Sequence, residues 1–372
     1  MTTTINGSSP SITFSDGSAQ TSATRPFLNR LINGGMVISQ RGTSFASSSV
    51  TNGDYQLDRW STWCNNGSAN ATVAQSSTAP AGFANSLLFT NVTAVTVGSA
   101  DRAQLIQPIE GLNCTDLAWG TADAKTVTLS FWVRCSLTGQ FGGSLQNSAT
   151  NRSYPFAYTI LAANTWEQKS ITVAGDTTGT WLTTNGIGIQ LNFDMGCGST
   201  LKGTAGSWAA SNYRGATGDV NLTANAGATF YITGVQLEVG STATSFDYRP
   251  YGTELSLCQR YYWKLKNPNN TYQTPISTGT VFGGGSPSSV YSPIPFPVTM
   301  RTAPSIQYTA ASDFAMFNNS TAYYATAITT GNEVSTTNGE INITTAGMTT
   351  STSCFIRTIA GATSFLAWTA EL

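Results

Sequence analysis

Histidine is absent from the 372 residues, which removes Ser-His-Asp and Cys-His nucleophile pairs, imidazole acid-base work and the H-E-x-x-H zinc helix together. Charge is scarce too: Asp, Glu, Lys and Arg make up 9% of the chain and leave a net −1. Such a balance gives no electrostatic footprint for nucleic acid or for an anionic membrane surface. The six cysteines, Cys64, Cys114, Cys135, Cys197, Cys258 and Cys354, lie far apart with no C-x-x-C pair. That spacing fits neither a zinc site nor the disulfide framework of a small secreted domain. They read as buried free thiols, with one long-range disulfide as the alternative. No run approaches the ~20 apolar residues a membrane helix needs, so membrane insertion is not expected. Residues 1–25 show no apolar segment behind a basic start, which predicts cytoplasmic synthesis without signal-peptide export.

Phosphate-cradling and metal motifs are missing as well. No G-x-x-x-x-G-K-[ST] loop occurs, and Gly283-Gly284-Gly285 lacks both a lysine and a strand-helix frame, so it reads as a flexible loop. No D-x-D-x-D loop suggests calcium. Neither a metal nor a cofactor is expected.

What fills the sequence is Thr, Ser, Asn, Gly and Ala, with 36 Gly and 11% aromatics. β-Branched and aromatic residues suit a pleated surface, whereas long helices draw on Glu, Lys, Arg and Leu. Disordered chains lack aromatics, and 9 Trp, 14 Tyr and 17 Phe argue for a folded, all-β protein. The length suffices for two domains with real cores.

Residues 1–25, with the turn signal Asp16-Gly17, are short, polar and turn-rich and read as an extended N-terminal arm that orders against another subunit or a docking partner. From 26 to 250 the pattern alternates with period two. Val127, Leu129, Phe131 and Val133 share one face, and Ile171 with Val173 and Ile187, Ile189, Leu191 and Phe193 repeat it. In the segment 228–240 the parity slips: Phe230 and Ile232 share one phase, Val235, Leu237 and Val239 the other, which places a β-bulge at Gly234. Many short strands without alternating helices predict a jelly-roll β-sandwich. A boundary is expected near 250, with Thr253 capping a short helix that begins at Glu254 and carries Leu255, Cys258 and Tyr262 at helical spacing. Residues 267–290 read as a long loop or hairpin, and 251–372 as the short helix plus a smaller C-terminal β domain. There the alternating Pro293, Pro295 and Pro297 argue for an edge strand.

Paired carboxylates are the one catalytic option left, since Asp and Glu alone can cleave a glycosidic bond. Asp54 with Asp58, Asp116 with Asp123, and Asp194 are conceivable, but scattered carboxylates in turns ordinarily shape the turns or face solvent, and no catalytic residue is assigned. Aromatics in polar loops say more. A sugar ring stacks an apolar face on Trp or Tyr while its hydroxyls meet Asn, Asp, Gln and Arg. Trp208, Tyr213 and Arg214 in one loop, and Tyr154 close to Arg152 in another, are the candidate glycan-binding residues. The competing reading has these rings covering the end of the core. Trp60 and Trp63, after Asp58-Arg59, are expected in a strand with one ring buried.

Several segments taken in order resemble a known family. Leu31-Ile32-Asn33-Gly34-Gly35-Met36 through Gln40-Arg41-Gly42, Asp58-Arg59-Trp60, Phe131-Trp132-Val133, Asn164-Thr165-Trp166 and the run from Phe230 to Gly240 look like the jelly-roll module of bacteriophage tail-fibre proteins. The continuation from Arg249 to Tyr262 is similar to the segment on the C-terminal side of that module. Ile12-Thr13-Phe14-Ser15-Asp16-Gly17-Ser18 resembles a short segment common in phage fibre and structural proteins, and Pro295 to Arg301 matches loosely. The resemblance implies a homotrimeric virion fibre with a carbohydrate-binding-like sandwich. It would be released by lysis, join other virion proteins through the arm and attach to host surface polysaccharide. A purely structural virion role, as capsid decoration, collar or tail scaffold, is the alternative; a polysaccharide depolymerase is the third reading.

Overall fold

The computed structural model describes residues 27–46, 53–65, 71–266, 275–282, 288–318, 321–331, 333–349, 352–359 and 364–372, together with three short strands before them. Those three, Thr4–Asn6, Ser11–Thr13 and Ala19–Gln20, pair antiparallel into a small meander, so this stretch doubles back twice where an extended arm is expected. The Gly283 to Gly285 run, the turn at Asp16-Gly17 and residues 267–274 lie outside the described residues.

Two six-stranded antiparallel sheets form the jelly-roll sandwich. The first runs, in spatial order, Glu167–Val173, Val127–Cys135, Thr229–Val239, Ser86–Asn91, Ala71–Ser76 and Ser44–Phe45. The second runs Ser153–Ile160, Gly139–Gln146, Ile187–Asp194, Ala103–Glu110, Ser61–Cys64 and Asp54–Tyr55. Alternation decides which residues meet between them. Val127, Leu129, Phe131 and Val133 are fully buried, as are Phe141, Leu145, Leu191 and Phe193 opposite. Phe131 of the first sheet meets Phe193 of the second edge-on, ring centroids 5.1 Å apart, a geometry aromatic quadrupoles favour. Trp60 is buried just ahead of its strand, and Trp63 within it is half-buried. All six cysteines are buried free thiols.

The bulge stands where the apolar parity slips. Val127–Cys135 pairs Ser130 with Gln236 but Trp132 with Thr233, so Gly234 and Val235 together oppose one residue. Gly234 adopts φ +61, and a Cβ there would lie 2.6 Å from Phe83 Cζ; both conditions require glycine.

The helix spans Tyr251–Gln259 with Pro250 at its N-cap, three residues ahead of the expected start, and no side chain caps it. Proline suits a helix entry because its fixed φ is already near helical and its missing N–H would be unpaired there. Thr253 therefore lies in the first turn, and Glu254 turns to the sandwich, accepting from the backbone N–H of Asn33 and from Arg249 Nη1. Tyr262 is not on the helix but opens the strand Tyr262–Lys266.

The C-terminal unit holds a three-stranded sheet, with Phe365–Thr369 between Tyr262–Lys266 and Ser305–Tyr308, and a seven-stranded antiparallel sheet. Pro275–Phe282 and Ser288–Pro295 form the hairpin in the latter. Ser288–Pro295 is not an edge strand in the sheet order. Pairing with Pro275–Phe282 ends at Tyr291, however, so Pro293 and Pro295 pair on one side only, with Asn338–Thr345. The missing proline donors thus cost no ladder bond on the unpaired side.

The units are tied by buried charges. Glu110 accepts from Arg260 Nε (2.9 Å) and Nη2 (2.6 Å) and from the Tyr261 hydroxyl (2.5 Å). Arg59 is fully buried, pairs with Glu371, donates to the Pro108 carbonyl at 2.7 Å and lies 3.7 Å from the Tyr261 ring centroid. Arg301 of the C-terminal unit donates through Nη1 to the Asn185 carbonyl of the sandwich at 2.9 Å.

Candidate functional site: a cleft between the two units

Beside this junction opens a cleft of about 510 Å³, lined by Arg41, Phe45, Gly53, Asp54 and Tyr55 from the sandwich and by Tyr262, Lys264, Gln307, Phe365 and Thr369 from the C-terminal unit. The edge strands Ser44–Phe45 and Asp54–Tyr55 of the sandwich supply one wall, and all three strands of the three-stranded sheet supply the other. Arg41 is held flat on Tyr262, 3.6 Å from the ring centroid, and bonds Glu371 at 3.0 Å. Lys264 Nζ donates to the Arg41 carbonyl at 3.2 Å and sits 4.0 Å from the Phe365 ring centroid. The Tyr55 hydroxyl donates to the Leu372 carbonyl at 2.8 Å. Burial pushes the Tyr262 phenol up to about 12, so it stays neutral at physiological pH. Half-buried rings of Phe45, Tyr55 and Phe365 beside exposed Asp54 and Gln307 give apolar faces next to hydrogen-bonding groups. That combination suits a sugar ring.

The five residues singled out in the sequence fall in two places. Arg152, Tyr154 and Trp208 come together at one end of the sandwich, where Trp208 meets Tyr154 (5.2 Å), Trp119 (5.3 Å) and Trp181 (5.3 Å) edge-on. The polar groups of Trp208 and Arg152 are engaged internally. Trp208 Nε1 donates to the Ala174 carbonyl at 2.8 Å, and Arg152 holds Asp176 through Nε (2.8 Å) and Nη2 (2.6 Å). Tyr213 and Arg214 instead lie in the segment over the outer face of the second sheet. The Tyr213 ring covers Gly203, where a Cβ would stand 2.3 Å from it, and Arg214 is buried.

The carboxylates are likewise occupied by structure. Asp58 is buried and accepts from Gln40 N (2.7 Å) and Nε2 (2.6 Å), and Asp116 pairs with Arg30 at 2.7 Å. Asp194 accepts from the amides of Gly196 and Cys197. Asp219, which no motif in the sequence singles out, is pushed up to about 6 by burial and by the charge of Asp194; it accepts from Gln140 Nε2 and the Ala216 amide.

No protein-family model matches the chain, and no curated protein does. Solved structures match over part of the chain at low TM-scores. The chain is similar to the enzymatically active domain of tailspike protein 4 of bacteriophage CBA120, at 13% identity over 58% of this chain and 22% of that one, with a TM-score of 0.31. It thus spans 22% of that tailspike structure. It is also similar to a family 11 carbohydrate-binding module from Clostridium thermocellum, solved with a β-1,3-1,4-mixed-linked tetrasaccharide (10% identity, 54% of this chain, 98% of that one, TM-score 0.26). A xylan-binding domain from Paenibacillus barcinonensis is a third (12% identity, 54% and 94%, TM-score 0.25).

The cleft left no local signal in the sequence. Arg41, which lines it, and Glu371, which holds Arg41, are separated by 330 positions, and its rings stand in short strands whose spacing resembles any half-buried edge.

Proposed function

We propose that this chain is a glycan-binding attachment protein of the phage tail-fibre type, which holds a host surface polysaccharide in the cleft between its two units and acts by binding, not by chemistry. The cleft carries the reading: it brings partly exposed rings, an amide and charged groups into one concavity at a domain junction, where ligand sites concentrate. Binding without bond cleavage is favoured because the buried carboxylates Asp58 and Asp219 spend their oxygens on backbone and side-chain donors and Asp194 spends Oδ1 on two backbone amides with Oδ2 against Lys202. The ordered resemblance of residues 30 to 265 supports the fibre assignment. A homotrimer in the virion fits the exposed rings of Phe27, Tyr248 and Tyr251, because a fibre chain buries such rings against its copies. Three chains would raise a weak sugar affinity by effective concentration.

A glycan array probed with the purified chain, alongside its mass by light scattering, tests this function. Saccharide binding and a threefold mass are expected. No saccharide bound removes the adhesin reading, and a monomer removes the trimer.

A further inference from the structure

On the outer face of the second sheet, Trp63 and Gln104 are neighbours across the strand pair, and Arg102 precedes Gln104 by two residues on the same side. Arg102 lies 4.1 Å from the Trp63 ring centroid and donates through Nε (3.3 Å) and Nη2 (3.2 Å) to Gln104 Oε1. That pair fixes the amide orientation and directs Gln104 Nε2 elsewhere. Gln104 is fully buried, and its Nε2 has no protein partner. Arg214 is 3% exposed and leaves both Nε and Nη1 unpartnered. Trp63 Nε1 is a fourth buried donor without an acceptor. Arg102 and Arg214 sit close enough that burial, then the charge of Arg102, push Arg214 down to about 10.

Neither guanidinium is ion-paired among the described residues. Asp194, beside Gln104 on the next strand, is engaged otherwise: Oδ1 takes the amides of Gly196 and Cys197, and Oδ2 lies 3.3 Å from Lys202 Nζ. The thiol of Cys197 adjoins both arginines, but its own pKa is held well above the ordinary value, chiefly by burial, so it offers no charge. Gly215, next to Arg214, packs on Asp194, where a Cβ would lie 2.2 Å from Oδ2, and Asp194 pairs with Gln104; the two positive charges and the unpartnered donors therefore belong to adjoining segments, with half-buried Trp63 and Arg102 toward solvent. Burying an arginine without a counter-charge is costly, and the donors call for an acceptor-only ligand bearing negative charge.

We propose that Trp63, Arg102, Gln104 and Arg214 form a binding site for an oxyanion, either the carboxylate of an acidic saccharide or a phosphate group. The site is separate from the cleft and does not depend on the cleft holding sugar.

The test is calorimetric titration of the full chain at low salt with inorganic phosphate, with an oligogalacturonate and with the neutral oligogalactoside of equal length. Binding of at least one anion is expected, weakened about tenfold or more by Arg102→Gln or Arg214→Gln, the scale of a lost charge-assisted hydrogen bond. Trp63→Phe, which keeps an aromatic ring and removes the N–H, guards against a folding defect in the arginine variants. Preference for galacturonate identifies an acidic sugar as the source, and preference for phosphate identifies a phosphate group. Absence of binding by both anions, or affinities that none of the three variants alters, overturns the proposal.

Discussion

Glu110 and Arg260, 150 residues apart, face each other across the boundary between the sandwich and the C-terminal unit, joined by hydrogen bonds of 2.6 and 2.9 Å. Burial works against the Glu110 charge, but hydrogen bonds from Arg260 and Tyr261 outweigh it and hold the carboxyl below its ordinary value of about 4.5. A depressed folded pKa means the folded chain binds this proton more weakly than the unfolded one. The contribution of the pair is therefore complete above about pH 4.5 and is lost as the pH falls through the folded value. Glu110→Gln is expected to cost roughly 2–3 kcal/mol at neutral pH and to flatten the acid limb of stability. Urea unfolding of both proteins from roughly pH 3 to pH 7, the span over which carboxylates titrate, measures both effects. Equal acid sensitivity in the two would refute this role.

Gly234 sets the bulge that returns Val235 and Leu237 to the core. Gly234→Ala combines a positive φ with a Cβ 2.6 Å from Phe83 Cζ and 3.2 Å from Trp132 Cδ1. A loss of about 1–3 kcal/mol is expected, read by chemical denaturation; an unchanged midpoint would show that the strand relaxes freely.

Trp208 closes one end of the sandwich with Trp119 and Trp181. Trp208→Ala should lower stability by about 2–4 kcal/mol while the remaining folded protein keeps its saccharide affinity. Loss of affinity with full stability would return Trp208 to the binding surface.

Much of the fold is legible because a two-residue period is local. Val127 to Val133 and Ile189 to Phe193 declare their buried faces within a few positions, and the parity slip marks Gly234. The helix start is not, because Thr253 resembles a cap, whereas the φ of Pro250 and the reach of Glu254 to Asn33 set the entry. Pro293 and Pro295 announce an unpaired flank but not that Ser288–Pro295 has two neighbours along its first half. For the sites, Trp208 and Arg214 stand out as an aromatic and a cation in one polar loop, yet the turn of the chain between them sends one to the end of the core and the other beneath the outer face. The cleft is invisible for a different reason: Arg41 comes from one unit and Tyr262 and Phe365 from the other, at positions far apart in the chain.

The most direct measurement of the attachment account is binding of the purified chain to permissive cells before and after their surface polysaccharide is stripped, repeated with Gln307→Ala and Phe365→Ala. The account predicts binding that disappears on stripping and weakens about tenfold or more when the Phe365 ring is removed, the scale of a lost sugar-stacking contact, with both variants still folded. Binding that survives stripping, or that neither cleft substitution changes, would contradict it.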